Sequence, residues 1–576
     1  MTDDLRALED AARRWMEEDP DPTTRAETAA LLESGDEKTL REAFGARLEF
    51  GTAGLRGKIG AGPNRMNRAL VRRVSAGLAQ YLVDEHPRAK EGGVVIGGDA
   101  RRLSPELAED TARICAGLGI PVYLFDDYVP TPVLAYAVRR LEAVGGVIVT
   151  ASHNPPEDNG YKVYWDNAAQ IVPPHDKGIS AAIDRVGAQS DIAMPELEAL
   201  REQGLVKPIP SEVLEDYYGE LLAQRRHPDA AKDVKVVYTA MHGVGGIFVK
   251  EILERAGYEQ FHAEPRQFEP DGEFPTVRFP NPEEDGAMDL SMALAKDIGA
   301  DLVLANDPDA DRLAVGVPLG DGDYRLLSGN EIGCLLAYYL LTENLPAKGE
   351  PLVMTTIVSS RMLAAMAKEL GAHYDETLTG FKWIANASQK HAREKGWQFV
   401  MGFEEALGYT VGPTVADKDG VGAALLFTEI AAVCRDRGIT LLDYLEQMIR
   451  RFGLYVTKQH SLTLPGQEGA AKIRAIMDAF RAESPSRIGT YEVTGTIDYA
   501  DGHGDLPPSN VLAFGLHGGG QVLLRPSGTE PKIKYYFELS DQPAEGEDLT
   551  LVRQRAETAL DALVDAFLQL AEDRSK

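Results

Sequence analysis

The sequence predicts an α/β chain ending in an α+β tail, on three observations. Short apolar runs rich in Val, Ile and Tyr alternate with amphipathic segments of helical length, the pattern of strands covered on both faces. From Tyr455 onward the strands alternate apolar and polar, as a sheet with one wet face does. Pro- and Gly-rich breaks fall near 205–212, 316–323 and 450–455 and divide the chain into parts 1–209, 210–322, 323–453 and 454–576.

In order, buried strands are expected at 93–97 (GVVIG), 145–150 (GGVIVT), 234–239 (VKVVYT), 300–306 (ADLVLAN) and 351–357 (PLVMTTI). The tail adds strands at 490–500 and 532–539, and a long helix over about 547–572 closes the chain. No repeat is visible at the level of residues.

Lys plus Arg number 60 and Asp plus Glu 90 among 576 residues, a formal net charge of −30. That balance argues against a nucleic-acid partner, while screening beyond about 8 Å leaves a local basic cluster able to hold a small phosphate. The acidic first twenty residues lack the basic start and apolar run of a signal peptide, and no apolar stretch approaches the roughly 20 residues that span a bilayer. Cys115, Cys334 and Cys434 are too few and too scattered for a disulfide framework or a metal cluster. The expectation is a cytoplasmic protein acting on small molecules, with neither membrane nor obligate protein partner.

Three segments carry chemistry. In 145–164 an apolar strand runs into Thr150-Ala151-Ser152-His153-Asn154-Pro155-Pro156, whose prolines forbid helix, with an Asn-Gly turn expected at 159–160. Ser152 is open to two readings here, a nucleophile held in a rigid loop or the capping residue of an ordinary turn with a surface His153, and Lys162 follows where the chain could fold back towards it. In 302–315, Asp307, Asp309 and Asp311 alternate after a strand, so an extended chain would put all three on one side. Their mutual repulsion asks for a hard divalent cation, for which Mg²⁺ is suited; Arg312 and Pro318 occupy positions that an EF-hand gives to Gly and Glu. In 523–538, Arg525, Ser527, Gly528 and Thr529 supply a guanidinium fork, hydroxyls and open backbone between two strands: either a phosphate cradle to which Lys532 and Lys534 add charge, or a plain Pro-Ser-Gly turn with edge-strand lysines.

Two further segments are open at this level. FGTAGLRGKIGAGPNRMNRALVRR, 50–73, gathers Arg56, Lys58, Arg65, Arg68, Arg72 and Arg73, part of them on the exposed face of a helix after Asn67. In 401–409, Glu404 and Glu405 follow a short strand, as sugar-hydroxyl acceptors or as caps on a helix.

Together TASHNP, DPDADR, GFEEALGY and RPSGTEPK, in this order, resemble the signature loops of the α-D-phosphohexomutases, over nearly the whole chain. The resemblance implies three related mixed α/β domains plus a C-terminal α+β domain around a central cleft, with one signature loop from each. It implies that Ser152 carries the phosphoryl group and that Asp307, Asp309 and Asp311 hold Mg²⁺ together with a phosphoserine oxygen. Arg56 and Lys162 match basic residues at the transferring phosphate, Lys162 as proton carrier, and His153 joins the catalytic candidates. Arg312 would face phosphoserine and substrate, and Glu404 would accept sugar hydroxyls. Arg525, Ser527, Gly528 and Thr529 would hold the phosphate not in transfer, with Thr379, Gly380 and Lys418 as further substrate contacts.

Where many members read Glu-x-Ser, Ala406 stands here. GFEEALGY, VADKDG (415–420) and LTGFKW (378–383) look most like the second phosphoglucomutase type, which includes bacterial phosphoglucomutases and pentose-phosphate enzymes. The implied activity is interconversion of glucose 1-phosphate and glucose 6-phosphate, with glucose 1,6-bisphosphate as bound intermediate and activator and the last domain as the moving part. Phosphopentomutase and phosphomannomutase are the near alternatives; a sugar phosphatase or a non-catalytic sugar-phosphate sensor are the distant ones.

Overall fold

Every expected buried run becomes a strand, and the strands repeat one topology. The computed structural model describes residues 3–52, 54–343, 349–464, 466–527 and 532–574, and divides into two units, Met1–Ile332 with Ala406–Gly438, and Gly333–Glu405 with Ile439–Lys576.

The first unit opens with helices Asp3–Glu18, Pro22–Ser34 and Glu37–Phe44, which close on a small core of Leu8, Ala12, Leu40, Ala43 and Phe44. A six-stranded sheet follows: β1 (Leu55–Lys58), β2 (Val94–Gly98), β3 (Val122–Leu124), β4 (Gly145–Val149), β5 (Asp158–Trp165) and β6 (Val206–Pro208), in the order β1-β5-β4-β2-β3-β6. Strands β4, β2, β3 and β6 are parallel, while β5 and β1 turn antiparallel at one side. All of β2 and β4 is buried, which is why they read as unbroken apolar runs. Helix Arg68–Glu85, capped by the Asn67 side chain on Leu70 N, packs Val74 and Leu78 onto Ile96, Val147 and Val149.

The second sheet repeats this plan with β7 (Val236–Thr239), β8 (Phe261–Ala263), β9 (Leu302–Ala305), β10 (Ala314–Pro318) and β11 (Tyr324–Leu326), in the order β11-β10-β9-β7-β8. Strands β9, β7 and β8 are parallel and β10 and β11 antiparallel. The turn-rich stretch 316–323 leads from β10 to β11 inside this sheet, which therefore runs through Leu326.

In the second unit, β12 (Glu350–Thr356), β13 (His373–Thr377) and β14 (Trp397–Glu404) again pair in parallel, β13-β12-β14. The chain then returns to the first unit for β15 (Gly408–Val411) and helix Gly420–Asp436. The tail is antiparallel: β16 (Leu454–Thr463), β17 (Arg487–Ile488), β18 (Tyr491–Asp498), β19 (Leu512–Leu516), β20 (Gln521–Pro526) and β21 (Lys532–Asp541) in the order β16-β21-β20-β19-β18-β17. Helix Leu549–Arg574 covers it, with Phe567 against Phe480, Phe514, Tyr535 and Phe537. The architecture is three mixed α/β domains followed by a C-terminal α+β domain.

Within the second unit this last domain is seated on β12–β14 and their helices. Ile357, Val358, Leu378 and Trp383 share one apolar cluster with Tyr499, Val511, Leu523 and Tyr536. Beside it, the buried Glu538 accepts from Arg361 Nε (2.9 Å) and Arg361 N (3.0 Å), and the Arg361 guanidinium also donates to Gly519 O.

Candidate active site

Three loops leave corresponding strand ends, after β4, β9 and β14, at the carboxyl side of parallel strands where open α/β sheets place their sites. The first begins at Thr150, whose hydroxyl donates to Asp99 Oδ2 (2.6 Å) and accepts from Ser152 N (2.9 Å). Ser152 itself adopts φ 52°, a left-handed conformation costing an L-residue about 1–2 kcal/mol. That bend aims Oγ at Asp307 Oδ2, 2.6 Å away, and leaves it 3.2 Å from His153 Nδ1. Beneath the loop the buried Arg101 guanidinium donates to Ser152 O (2.6 Å) and Asn154 O (2.5 Å).

The expected Asn-Gly turn at 159–160 does not exist. Both residues lie inside β5, opposite Gly57 and Arg56 of β1, and the bend falls at 152–157. Asn159 uses its side chain to hold Arg102 O and Ser104 Oγ, at 2.8 and 3.0 Å. Gly160 is where β5 is squeezed, since a Cβ there would stand 2.5 Å from Thr150 O.

The second loop brings Asp307, Asp309 and Asp311 together, with donor atoms within 4.8 Å of one another. They do not converge through an extended chain. Residues 307–310 form a turn, closed by Ala310 N on Asp307 O, with Ala310 at φ 54°. All three carboxylates are buried. Thr131 Oγ1 donates to Asp309 Oδ2 at 2.6 Å, Lys162 Nζ bridges Asp309 and Asp311 at 2.7 and 3.1 Å, and Lys418 Nζ reaches Asp311 at 3.0 Å. Lys418, expected at the substrate, is thus placed on this loop. Arg312 gives its backbone N–H to Asp307 Oδ1, with its guanidinium 3.9 and 4.0 Å from Asp307 and Asp311.

The electrostatics follow from this packing. Burial, then the adjoining Asp309 and Asp311, push Asp307 well above the usual carboxylate range. Burial would raise Asp309 too, but the Lys162 ammonium and the hydrogen bonds from Lys162 and Thr131 hold it far below. Burial works against the charge on Lys162, and the two carboxylates overcome it, so the ammonium is held protonated. His153 moves the other way: burial, then Arg312 and Arg56, push it well below the usual imidazole value and keep it neutral.

This donor set fits a hard cation. Asp309 Oδ1 and Asp311 Oδ1 are buried without hydrogen-bond partners, and the three side chains offer carboxylate oxygens, the donors a hard cation takes. A divalent ion there removes the repulsion that raises Asp307.

Of the basic cluster at 56–73, Arg56 reaches the serine loop, with Nη1 3.1 Å from Asn154 Oδ1. Arg68 and Arg72 both grip the buried Asp110, Arg73 holds Val186 O and Gly187 O, and Arg65 pairs with Glu42. These are ties within the fold.

In the second unit Glu404 ends a strand, and a turn instead of a helix follows it. Glu404 Oε1 accepts from Gly380 N at 2.6 Å, where Gly380 takes φ 113°, and half-buried Thr379 precedes it. Glu405 Oε2 is tied to Ser359 Oγ at 2.8 Å and Thr356 Oγ1 at 3.4 Å. Arg525, one residue before the end of β20, lies opposite Lys534 of β21 and donates to the Tyr536 hydroxyl, while Ser527 N closes the hairpin on Lys532 O (2.7 Å). Gly528 and Thr529 lie outside the described residues. Thr131 and Arg101 escaped the sequence reading; an Asp-x-Arg after a buried strand, as in 99–101, is a local signal that could have found the latter.

Fold and loops define a multidomain α/β protein with a serine–carboxylate centre in its first unit. The chain belongs to the phosphoglucomutase/phosphomannomutase family of the α-D-phosphohexomutase superfamily: the α/β/α domains I, II and III match residues 47–190, 215–320 and 328–452, and the C-terminal domain matches 467–550. It is 37% identical to a phosphopentomutase of Homo sapiens over 98% of this chain and 96% of that protein. It is 39% identical to a phosphoglucomutase of Staphylococcus epidermidis over 87% of this chain and 92% of that protein. The fold is shared with parafusin, a Paramecium phosphoglucomutase solved in an open form, at TM-score 0.70 and 20% identity, covering 92% of this chain and 96% of that one. Among the described residues no helix is long and apolar enough to cross a membrane.

Proposed function

We propose that the protein is a phosphosugar mutase that interconverts glucose 1-phosphate and glucose 6-phosphate through phosphorylated Ser152 and a bound 1,6-bisphosphate. The observation that carries this is Ser152 Oγ at 2.6 Å from Asp307 in the buried carboxylate loop, with Lys162 and Arg312 at the same carboxylates. Phosphoryl transfer asks for alignment and charge neutralisation, and that is what this group supplies.

Mg²⁺, held by Asp307, Asp309, Asp311 and the serine oxygen, would neutralise charge on the transferring phosphoryl group. Lys162, fixed as an ammonium, contributes positive charge beside it and has a proton to give; His153, kept neutral at 3.2 Å from Oγ, is the nearby group able to accept one. Arg56 and Arg312 face the same phosphate. Arg525 and Ser527 hold the distal phosphate, and Glu404 accepts sugar hydroxyls. Phosphoserine gives its phosphoryl group to the free hydroxyl of a monophosphate, the bisphosphate reverses in the site, and its other phosphate returns to Ser152.

A pentose phosphate is the second reading, supported by the human phosphopentomutase aligned along 98% of the chain and by Glu405 being tied to Ser359 while residue 406 is alanine. Fewer hydroxyl partners suit a smaller sugar. The test is kcat/KM for glucose, mannose and ribose 1-phosphates with Mg²⁺ and trace bisphosphate. Glucose preference is expected; ribose preference transfers the assignment to phosphopentomutase, and stoichiometric inorganic phosphate release replaces the mutase with a phosphatase. Sugar-phosphate binding without labelling of Ser152 would leave a sensor.

A further inference from the structure

A serine held in a left-handed bend needs both flanking peptides fixed, or it relaxes and its hydroxyl swings away. Ser152 N is fixed by Thr150 Oγ1, and Ser152 O by Arg101. Arg101 extends the hold along the loop, since its guanidinium also donates to Asn154 O, to Pro155 O at 2.8 Å and to Asp158 O at 3.1 Å, while Asp99 lies 3.5 Å from its Nε. The side chain is buried, so no water can take its place at these carbonyls.

What seats Arg101 comes from a different domain. The Phe274 ring centroid lies 4.8 Å from the guanidinium carbon, and Phe274 is itself buried in a left-handed turn at φ 46°. Two residues earlier, Gly272 presses on the Arg101 backbone: a Cβ there would stand 2.4 Å from Ala100 O and 2.9 Å from Arg101 Cα. Both belong to the connection between β8 and helix Asp289–Ile298, in the domain that also supplies the three aspartates.

We propose that Arg101, seated by Phe274 and Gly272, is a positioning residue for Ser152, so that the domain providing the carboxylates also sets the aim of the serine facing them. Arg101 touches no reacting atom; it acts through the backbone of the serine loop. The inference rests on the phosphoserine reading above. A lysine ammonium cannot reproduce a planar fork spanning several carbonyls, so Arg101→Lys keeps the charge and loses the geometry.

The experiment is transfer of ³²P from labelled glucose 1,6-bisphosphate to the full chain with Mg²⁺, followed in a single turnover. Arg101→Lys is expected to slow labelling at saturating donor about 100-fold, the cost of roughly 1 Å of misplacement, with the half-saturating donor concentration nearly unchanged. Phe274→Leu and Gly272→Ala are expected to slow it about tenfold. Circular dichroism at the assay temperature identifies the folded variants; where Arg101→Lys does not fold, the other two decide. Folded variants that label at the wild-type rate overturn the proposal, as does a loss that appears wholly in donor affinity. Wild-type protein that takes up no label defeats the phosphoserine reading, and this inference with it.

Discussion

The serine loop and the aspartate loop occupy the same topological place, each between a buried parallel strand and an antiparallel return, yet they are stiffened in opposite ways. In the aspartate loop the left-handed residue is Ala310, a spacer with no chemistry, and the functional side chains are gripped directly by Thr131, Lys162 and Lys418. In the serine loop the left-handed residue is Ser152 itself, and its backbone is gripped from beneath while its hydroxyl stays at the carboxylates. Carboxylates that hold a cation need fixed oxygens. A hydroxyl that takes and gives up a phosphoryl group needs a fixed root and an accessible tip.

Substitutions in the two loops should therefore separate. Ser152→Ala should cut turnover on the order of 10⁴-fold or more while sugar-phosphate binding, read by calorimetry, persists; near-normal turnover would refute the nucleophile. Asp309→Asn should move the Mg²⁺ titration midpoint at least as far as the roughly 10–100-fold that a lost outer partner costs, and an unshifted midpoint would remove Asp309 from the ligands. Thr131→Val tests that outer partner, with a midpoint shift of about tenfold expected and no change in saturating kcat. Ala310→Gly is the smallest. Relief of its backbone, about 1 kcal/mol, is offset by about 0.8 kcal/mol for the buried methyl, so denaturant unfolding should stay within ~0.5 kcal/mol of wild type. A large loss would mean that the methyl, not the bend, shapes the loop.

The sequence told strands from loops because β2, β4 and β9 are buried along their whole length and leave unbroken apolar runs. The functional loops were legible as motifs, since each needs particular side chains within a few residues. Asn159-Gly160 misled because the pair serves packing: Asn159 holds a neighbouring loop and Gly160 admits a carbonyl, neither of which involves a turn. The aspartates met through a turn that alternation alone could not reveal. Thr131 on Asp309, 178 residues away, left no local trace, and neither did the pairing of Glu405 with Ser359. The three-fold reuse of one sheet plan was equally silent, because topology can be retained where residues are not.

Tyr536 of β21 lies in the apolar cluster that joins the last domain to Leu378 and Trp383, accepts a hydrogen bond from Arg525, and stands close enough to Glu404 and Glu405 to feel their charge. The separation between Glu404, proposed to accept sugar hydroxyls, and Arg525, proposed to hold the distal phosphate, is therefore set by a packed core and by the Arg361–Glu538 ion pair, whose breakage would leave the buried Glu538 without its counter-charge. These two contacts act as a ruler. Under the proposed mutase reading, a bisphosphate would have to present the same length from hydroxyl to distal phosphate in either orientation, and a sugar one carbon shorter would have to meet an unchanged scale by shifting its whole frame.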